Sequence, residues 1–322
     1  MSLFRKVVTD GLRRKYYIGK IKIASFRGKA LVPQSRRLPR SNNTVLVIRR
    51  NDKGCGLFAH FCSNLGWIRW ALDHGMMPYV DMETVPNVIN RGKRLGFNPW
   101  ECFFKQCAAY RPVDALSAAK LRTTPESLIQ IGPRLQAPLL AEDHPELLAW
   151  RRLVHEQIRL NDAMAEEVER VWRRDFGDGN VLGCLVRGTD YIKLKPKWHA
   201  VQPDPAQVVA DAERVCREQG FSRVFLATED LSVEKLFREA FGDRLLRYQT
   251  CMPKYVDGFL VSSGAVGDGA RALEMSRQYM VSIMLLSRCR GLLAGCTSGS
   301  QAAKLFSNGY EWSRVYDLGF YS

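Results

Sequence analysis

Between Val181 and Gly319 the chain alternates short apolar runs with amphipathic stretches of helical period. "VLGCLV" (181–186) precedes "DPAQVVADAERVCREQG" (204–220), and "RVFLATED" (223–230) precedes "LSVEKLFREAFG" (231–242). "RLLRYQ" (244–249), "ARALEMSRQYMVSIMLLSRC" (270–289), "GLLAGCTSGSQAAKLFSNG" (291–309) and "RVYDLG" (314–319) continue the alternation. A run with no polar residue at every second position needs cover on both faces. Strands separated by helices are joined by crossovers, so they lie parallel. The helix over 204–220 has its ends written locally, with Asp204 as N-cap, Pro205 in the first turn and Gly220 as the stop.

The first half repeats the pattern more loosely. "TVLVIRR" (44–50) reads as a strand, and Leu57, Phe61, Leu65, Ile68 and Leu72 recur at helical spacing before Gly75. "MPYVDM" (77–82) is a second strand, so the order is strand–helix–strand. Residues 112–150, with five prolines, read as loops and short helices, and one long helix is expected from about Glu146 to Phe176, ended by "DFGDGN" (175–180). The expected architecture is α/β: two Rossmann-like domains with parallel sheets, facing each other. The divisions are an arm and linker over 1–43, a first domain over 44–165 and a second over 166–322.

The net charge of +15 is concentrated at one end, because residues 1–40 hold twelve Lys/Arg and one acid, Asp10. Aromatic and aliphatic residues are interleaved there. That mixture suits an anionic membrane surface, a nucleic acid, or a solvated arm with no partner. No nucleic-acid-binding signature accompanies it, so nucleic acid is the weaker partner. No apolar run is long enough for a bilayer span, and charge interrupts the N-terminus where a secretory signal would be apolar. The expectation is a cytoplasmic protein, peripheral to the inner membrane through its arm. Nine dispersed cysteines without a CxxC pair read as buried hydrophobes rather than metal ligands or disulfides.

Three expected strand ends are more polar than a core requires: Arg187-Gly188-Thr189-Asp190, Thr228-Glu229-Asp230, and Thr297-Ser298-Gly299-Ser300-Gln301. In an open parallel sheet, ligands bind beyond the carboxyl ends of the strands. The third set opens a helix, whose first N–H groups attract an anion, and Arg187 can offer a bidentate fork to the same anion. Glu229 and Asp230 can accept from a ribose or base. Together they outline a nucleotide-diphosphate pocket, with His199 as a candidate contact from the neighbouring basic loop. Each set also has a plain structural reading: a salt bridge for Arg187–Asp190, and helix caps for the other two. "GCG" (54–56) is a turn able to approach a ligand closely or simply a tight turn. His60 and His74 read as ordinary helix residues. There is no GxxxxGK[ST], HExxH or DxD motif, so neither P-loop chemistry nor a metal site is expected.

At "VRGTDY", "FLATED" and "CTSGSQ" the chain resembles the GDP-fucose-dependent fucosyltransferases: the α-1,6-fucosyltransferases, nodulation fucosyltransferases and protein O-fucosyltransferases. "GLFAHF" (56–61) and "NPWECFF" (98–104) are similar to segments of bacterial members. The resemblance implies a GT-B fold and an inverting, metal-independent transfer of fucose from GDP-fucose to a glycan or lipid-linked saccharide, with no cofactor. The acceptor would sit mainly on the first domain and the donor on the second. It implies that Arg187 holds the β-phosphate, Asp190 positions Arg187 or the sugar, and Glu229 and Asp230 line the nucleotide pocket. Ser300 and Gln301 would bind the diphosphate, and His199 matches a family histidine. Three positions depart from the pattern: Leu185 replaces a histidine, Gly188 a second arginine, and Ser282 an aspartate. No acid follows in "YIKLKPK", so Glu101, Asp81 and Asp190 are the candidate bases. Another nucleotide sugar, and a non-catalytic binding protein at a membrane, remain the alternatives.

Overall fold

In the computed structural model, residues 44–52, 54–90, 92–93, 95–107, 120–124, 137–250 and 269–322 are described. The basic arm and its linker lie outside them, so the expected membrane contact through residues 1–40 does too. No described helix is long and apolar enough to cross a membrane.

The second half is a five-stranded, all-parallel sheet. It comprises β4 (Val181–Leu185), β5 (Arg223–Ala227), β6 (Leu245–Leu246), β7 (Gly291–Gly295) and β8 (Trp312–Tyr316), in the order β6-β5-β4-β7-β8. Its helices are α4 (Thr189–Leu194), α5 (Pro205–Gln219), α6 (Leu231–Phe241), α7 (Gly269–Leu286) and α8 (Ser298–Phe306). The apolar run of β4 has the expected cause. Val181 and Leu185 belong to one core with Phe225, Ala227, Leu292 and Ala294. Leu182, Cys184 and Val186 belong to another with Val208, Val215 and Phe237 from α5 and α6. Successive side chains point to opposite faces, and both faces are covered. The α5 signals act as read: Asp204 accepts from Ala206 N and Gln207 N, and Gly220 takes the left-handed conformation at φ 73°.

The first half is a three-stranded parallel sheet of β1 (Thr44–Ile48), β2 (Met77–Val80) and β3 (Lys120–Thr123), ordered β2-β1-β3. Helix α1 (Leu57–Asp73) connects β1 to β2. The two sheets share a core. Phe61 of α1 lies 5.1 Å from Phe306 of α8, and Phe58 lies 5.1 Å edge-on from Tyr279 of α7.

Three expectations change. Strand β3 lies inside the stretch read as loops and short helices. The expected 244–249 strand shrinks to two residues. The expected long helix is two, α2 (Pro145–Gln157) and α3 (Asp162–Asp175). Residues 158–161 leave the helix to meet an extended segment: Lys105 N donates to Arg159 O (2.8 Å), Asn161 N to Phe103 O (2.9 Å), and Leu160 bridges Phe104. Asn161 then caps α3 by accepting from Met164 N. Tertiary pairing outweighs a helical periodicity that continues across the break.

Candidate nucleotide site

From β4 the chain winds outward through β5 to β6, then returns to the other side of β4 for β7 and β8. The order therefore reverses between β4 and β7, and a crevice opens beyond their carboxyl ends. Arg187 follows β4 by two residues, and the first turn of α8 follows β7 by three. The third polar strand end, after β5, flanks β4 on its other side.

Arg187 is held in a loose clamp. Its guanidinium carbon lies 4.2 Å from the centre of the Tyr191 ring, and its Nε lies 3.9 Å from Glu229 Oε1. The Arg187 and Glu229 side chains are 22% and 18% exposed, so the pair is partly desolvated and still reachable. His199 extends the clamp, with Nδ1 2.9 Å from the Tyr191 hydroxyl and its ring edge-on to Tyr191. Thr189 and Asp190 open α4, and their side chains lie outside what is described.

Gly188 is a steric requirement. A Cβ there would stand 2.2 Å from Asp230 Oδ2 and 2.7 Å from Asp230 Cβ. Asp230 cannot easily retreat, because its Oδ1 caps α6 by accepting from Ser232 N at 2.8 Å and the Ser232 hydroxyl at 2.5 Å. The neighbouring loops after β4 and β5 thus fit together only with hydrogen at position 188. Thr228 is buried, and its hydroxyl accepts from Asp230 N.

On the β7 side, Thr297 and Ser300 form a reciprocal capping box: Ser300 N donates to Thr297 Oγ1 and Thr297 N to Ser300 Oγ. Ser300 is fully buried, so it shapes the turn. The cap leaves the N–H groups of Ser298 and Gly299, the first two helical residues, without acceptors inside the helix. Gly299 is needed there as well, since a Cβ would stand 2.2 Å from the Tyr279 hydroxyl and 3.2 Å from Leu185 Cδ2. The start of α8 therefore lies directly on the end of β4. Burial pushes the Tyr279 hydroxyl's pKa up, against the pull of the Arg187 charge, and keeps it a donor. Gln301 is buried, and its Nε2 has no partner among the described residues. Across the turn, Gln202 donates to Ala200 O and Cys296 O, while its buried Oε1 has no partner among the described residues. An orphaned buried amide group at a crevice requires an explanation, and a bound polar ligand is one.

The candidate bases divide. Asp81 is fully engaged: it accepts from Arg49 Nε (2.7 Å), Glu83 N, Thr84 N and the Thr84 hydroxyl. Burial raises its pKa, but the bonds from Thr84 and Arg49 outweigh that and hold the carboxyl below its usual range. Glu101 is exposed on the 3-10 turn Pro99–Cys102 and accepts from Gln106 Nε2 at 2.8 Å. No described contact joins Glu101 to Arg187, Glu229 or α8. Ser282 is buried in α7 and donates back to Gln278 O, so it faces no ligand.

Sequence reasoning did not single out Tyr191 or Tyr279. The signal for Tyr191 was its position four residues after Arg187 in a segment opening a helix, the spacing at which side chains meet on one face. Tyr279 carried no comparable signal, since only packing brings α7 to the start of α8.

No family model matches the chain, and no curated protein matches it in sequence. Solved structures do. The chain is similar to a NodZ α-1,6-fucosyltransferase soaked with GDP-fucose, at 14% identity and a TM-score of 0.50, over 87% of this chain and 96% of that one. It is also similar to the fucosyltransferase NodZ from Bradyrhizobium (12% identity, TM-score 0.48, over 82% and 92%). A third is POFUT1 in complex with GDP-fucose (10% identity, TM-score 0.48, over 87% and 99%). The first likeness shows the α/β fold with parallel sheets. At such identity it shows nothing finer.

Proposed function

We propose that the chain is a glycosyltransferase that moves fucose from GDP-fucose to a glycan, with inversion and without a metal ion. One observation carries this reading: Arg187 and the first turn of α8 follow the adjacent strands β4 and β7 at the switch point, and Gln301 of α8 holds a buried amide without a partner among the described residues. An arginine fork and a helix N-terminus are complementary to a diphosphate. Glu229, beside Arg187, would accept from the nucleotide's hydroxyl or amine donors.

In the reaction an acceptor hydroxyl attacks the anomeric carbon while the bond to the diphosphate oxygen breaks. The hydroxyl proton passes to a carboxylate, and GDP departs with the bond's electron pair. Negative charge grows on the β-phosphate. Arg187, steadied by Tyr191, and the α8 N–H groups are placed to stabilise it as it develops. Glu101 and Asp190 remain the candidate bases. The NodZ and POFUT1 structures that bind GDP-fucose support the choice of donor.

Gly188, closed in by Asp230, and Ser282, turned into its own helix, favour a second reading in which the same site takes another nucleotide sugar. Calorimetric titration with GDP, UDP and dTDP separates the two. Saturable GDP binding is expected, with Arg187→Ala losing about 10²–10³-fold in turnover while the fold is retained. An absence of GDP binding overturns the donor assignment.

A further inference from the structure

The last turn of α4 and the loop after it carry a feature that nucleotide binding does not use. Residues 191–203 contain Lys193, Lys195 and Lys197 and no acid, and all three lysines are exposed. Among them stand Leu194, 42% exposed, and Trp198, 54% exposed. The tail that pairs with this loop adds Leu318 and Phe320, each 49% exposed. The pairing is antiparallel. Trp198 N donates to Tyr321 O, Tyr321 N to His199 O and Val201 N to Gly319 O, each at 2.9 Å, and Ala200 bridges Phe320. Asp317 is the one acid in that tail.

The loop also holds the two non-glycine residues with positive φ among the described residues: Lys195 at 43° and Trp198 at 68°. A bulky aromatic in the left-handed region is strained and persists only where its surroundings impose it. Here the bonds to the tail impose it on Trp198, whose indole stays half exposed with Lys197 Nζ 5.1 Å from its ring centre. All seven tryptophans are described, and the other six are buried or partly buried. Single exposed apolar residues need no explanation. Four on one loop and its paired tail, interleaved with lysines, do.

We propose that this patch docks on the surface of an anionic lipid bilayer. Trp198, Leu194, Leu318 and Phe320 would enter the boundary between headgroups and acyl chains, and the three lysines would meet the lipid phosphates. Indole rings favour that boundary, and lysines can set their stems in it with the ammonium outside. A soluble saccharide would use the aromatic rings without a row of lysines. A polynucleotide would use the lysines without Leu194, Leu318 and Phe320. The patch adjoins Tyr191 and His199, so docking sets the Arg187 crevice beside the bilayer, where an acceptor carried on a lipid would be presented. This contact belongs to the folded body. It uses other residues than the arm over 1–40 and does not depend on which nucleotide the crevice takes.

The test uses the full chain with vesicles of phosphatidylcholine and phosphatidylglycerol, the latter's acyl chains brominated. Quenching of tryptophan emission is expected in the wild type and is expected to be largely lost in Trp198→Phe. Lys193→Gln/Lys195→Gln/Lys197→Gln is expected to weaken vesicle partition about a hundredfold at low salt. Calorimetric GDP titration of the same variants shows whether the crevice is intact, so failure of the patch and failure of the nucleotide reading are distinguishable. Quenching equal in the wild type and Trp198→Phe, or partition unchanged in the lysine variant, overturns the proposal. So does loss of transfer to a soluble glycan in Trp198→Phe with vesicle binding retained, because that result makes the patch a saccharide platform.

Discussion

At the carboxyl end of β1, Arg49 Nε stands 2.7 Å from Asp81, and the same carboxylate accepts from Glu83 N, Thr84 N and the Thr84 hydroxyl. Arg49 N and O both bond the Thr124 hydroxyl after β3. At the carboxyl end of β4, Arg187 stands 3.9 Å from Glu229 and leans on a tyrosine ring, while Gln301 Nε2 has no partner among the described residues. Both are crevices where the strand order of a parallel sheet reverses. In the first, Arg49, Asp81 and Thr124 satisfy one another and hold loops together, although the buried Nε of Arg50 has no partner among the described residues. In the second, helix caps absorb Asp230 and Ser300, Arg187 lies against Tyr191 and Glu229, and the Gln301 amide has no partner among the described residues. Position in the fold makes a crevice eligible as a site. The close Arg49–Asp81 pair and the wider Arg187–Glu229 pair separate the two.

The largest expected effect that sharpens this contrast is on the structural side. Burial, then the Arg50 charge, lower the pKa of His60 from 6.5 to about 4, and its Nε2 lies 3.0 Å from Asp52 O. The folded pKa is below the unfolded one, so the unfolded chain binds the proton first as pH falls. Stability is full above about 6.5 and is lost as pH falls toward 4, by about 3 kcal/mol. Urea unfolding across that window is expected to show the slope, and His60→Asn to flatten it. Asp81→Asn should cost about 2 kcal/mol, since it weakens the bonds to Arg49 and Thr84. Unfolding free energy should fall while GDP affinity holds. The reverse outcome would move the ligand to the first crevice and break the comparison.

Smaller effects test the second crevice. Gly188→Ala forces a methyl group against a capping aspartate and is expected to cost about 1–2 kcal/mol in stability, along with a measurable loss of GDP affinity. Gly188→Arg should be worse still, because Asp230 occupies the space. Tyr191→Ala should weaken GDP binding by several-fold through loss of the cation–π contact, with about 1 kcal/mol at stake. Tyr191→Phe keeps the ring and loses only the His199 bond, so its calorimetric Kd should lie near the wild type. Equal losses in the two variants would mean that the hydroxyl, not the ring, holds Arg187.

Much of this was legible from local chemistry. Asp204, Pro205 and Gly220 mark both ends of α5, and the two-sided apolar run of β4 announces a covered parallel strand. The three polar strand ends were legible as sets, since no core needs "RGTD" or "CTSGSQ". Their plain readings were legible too, and Asp230 and Ser300 follow them as caps. By contrast, "KLRT" (120–123) gives no strand signal, because it is short and polar and becomes β3 only by pairing with β1. The break at 158–161 was also hidden, since its cause is a segment more than fifty residues earlier.

The sequence by itself determined the α/β class, the capped helices and the residue types at each strand end, because these depend on neighbours a few positions apart. Tertiary structure alone decided that β4 lies between β5 and β7, that Tyr191 supports Arg187, and that Gly188 must lack a side chain. Strand order and close approach come from packing between segments distant in the chain, and no local periodicity encodes them.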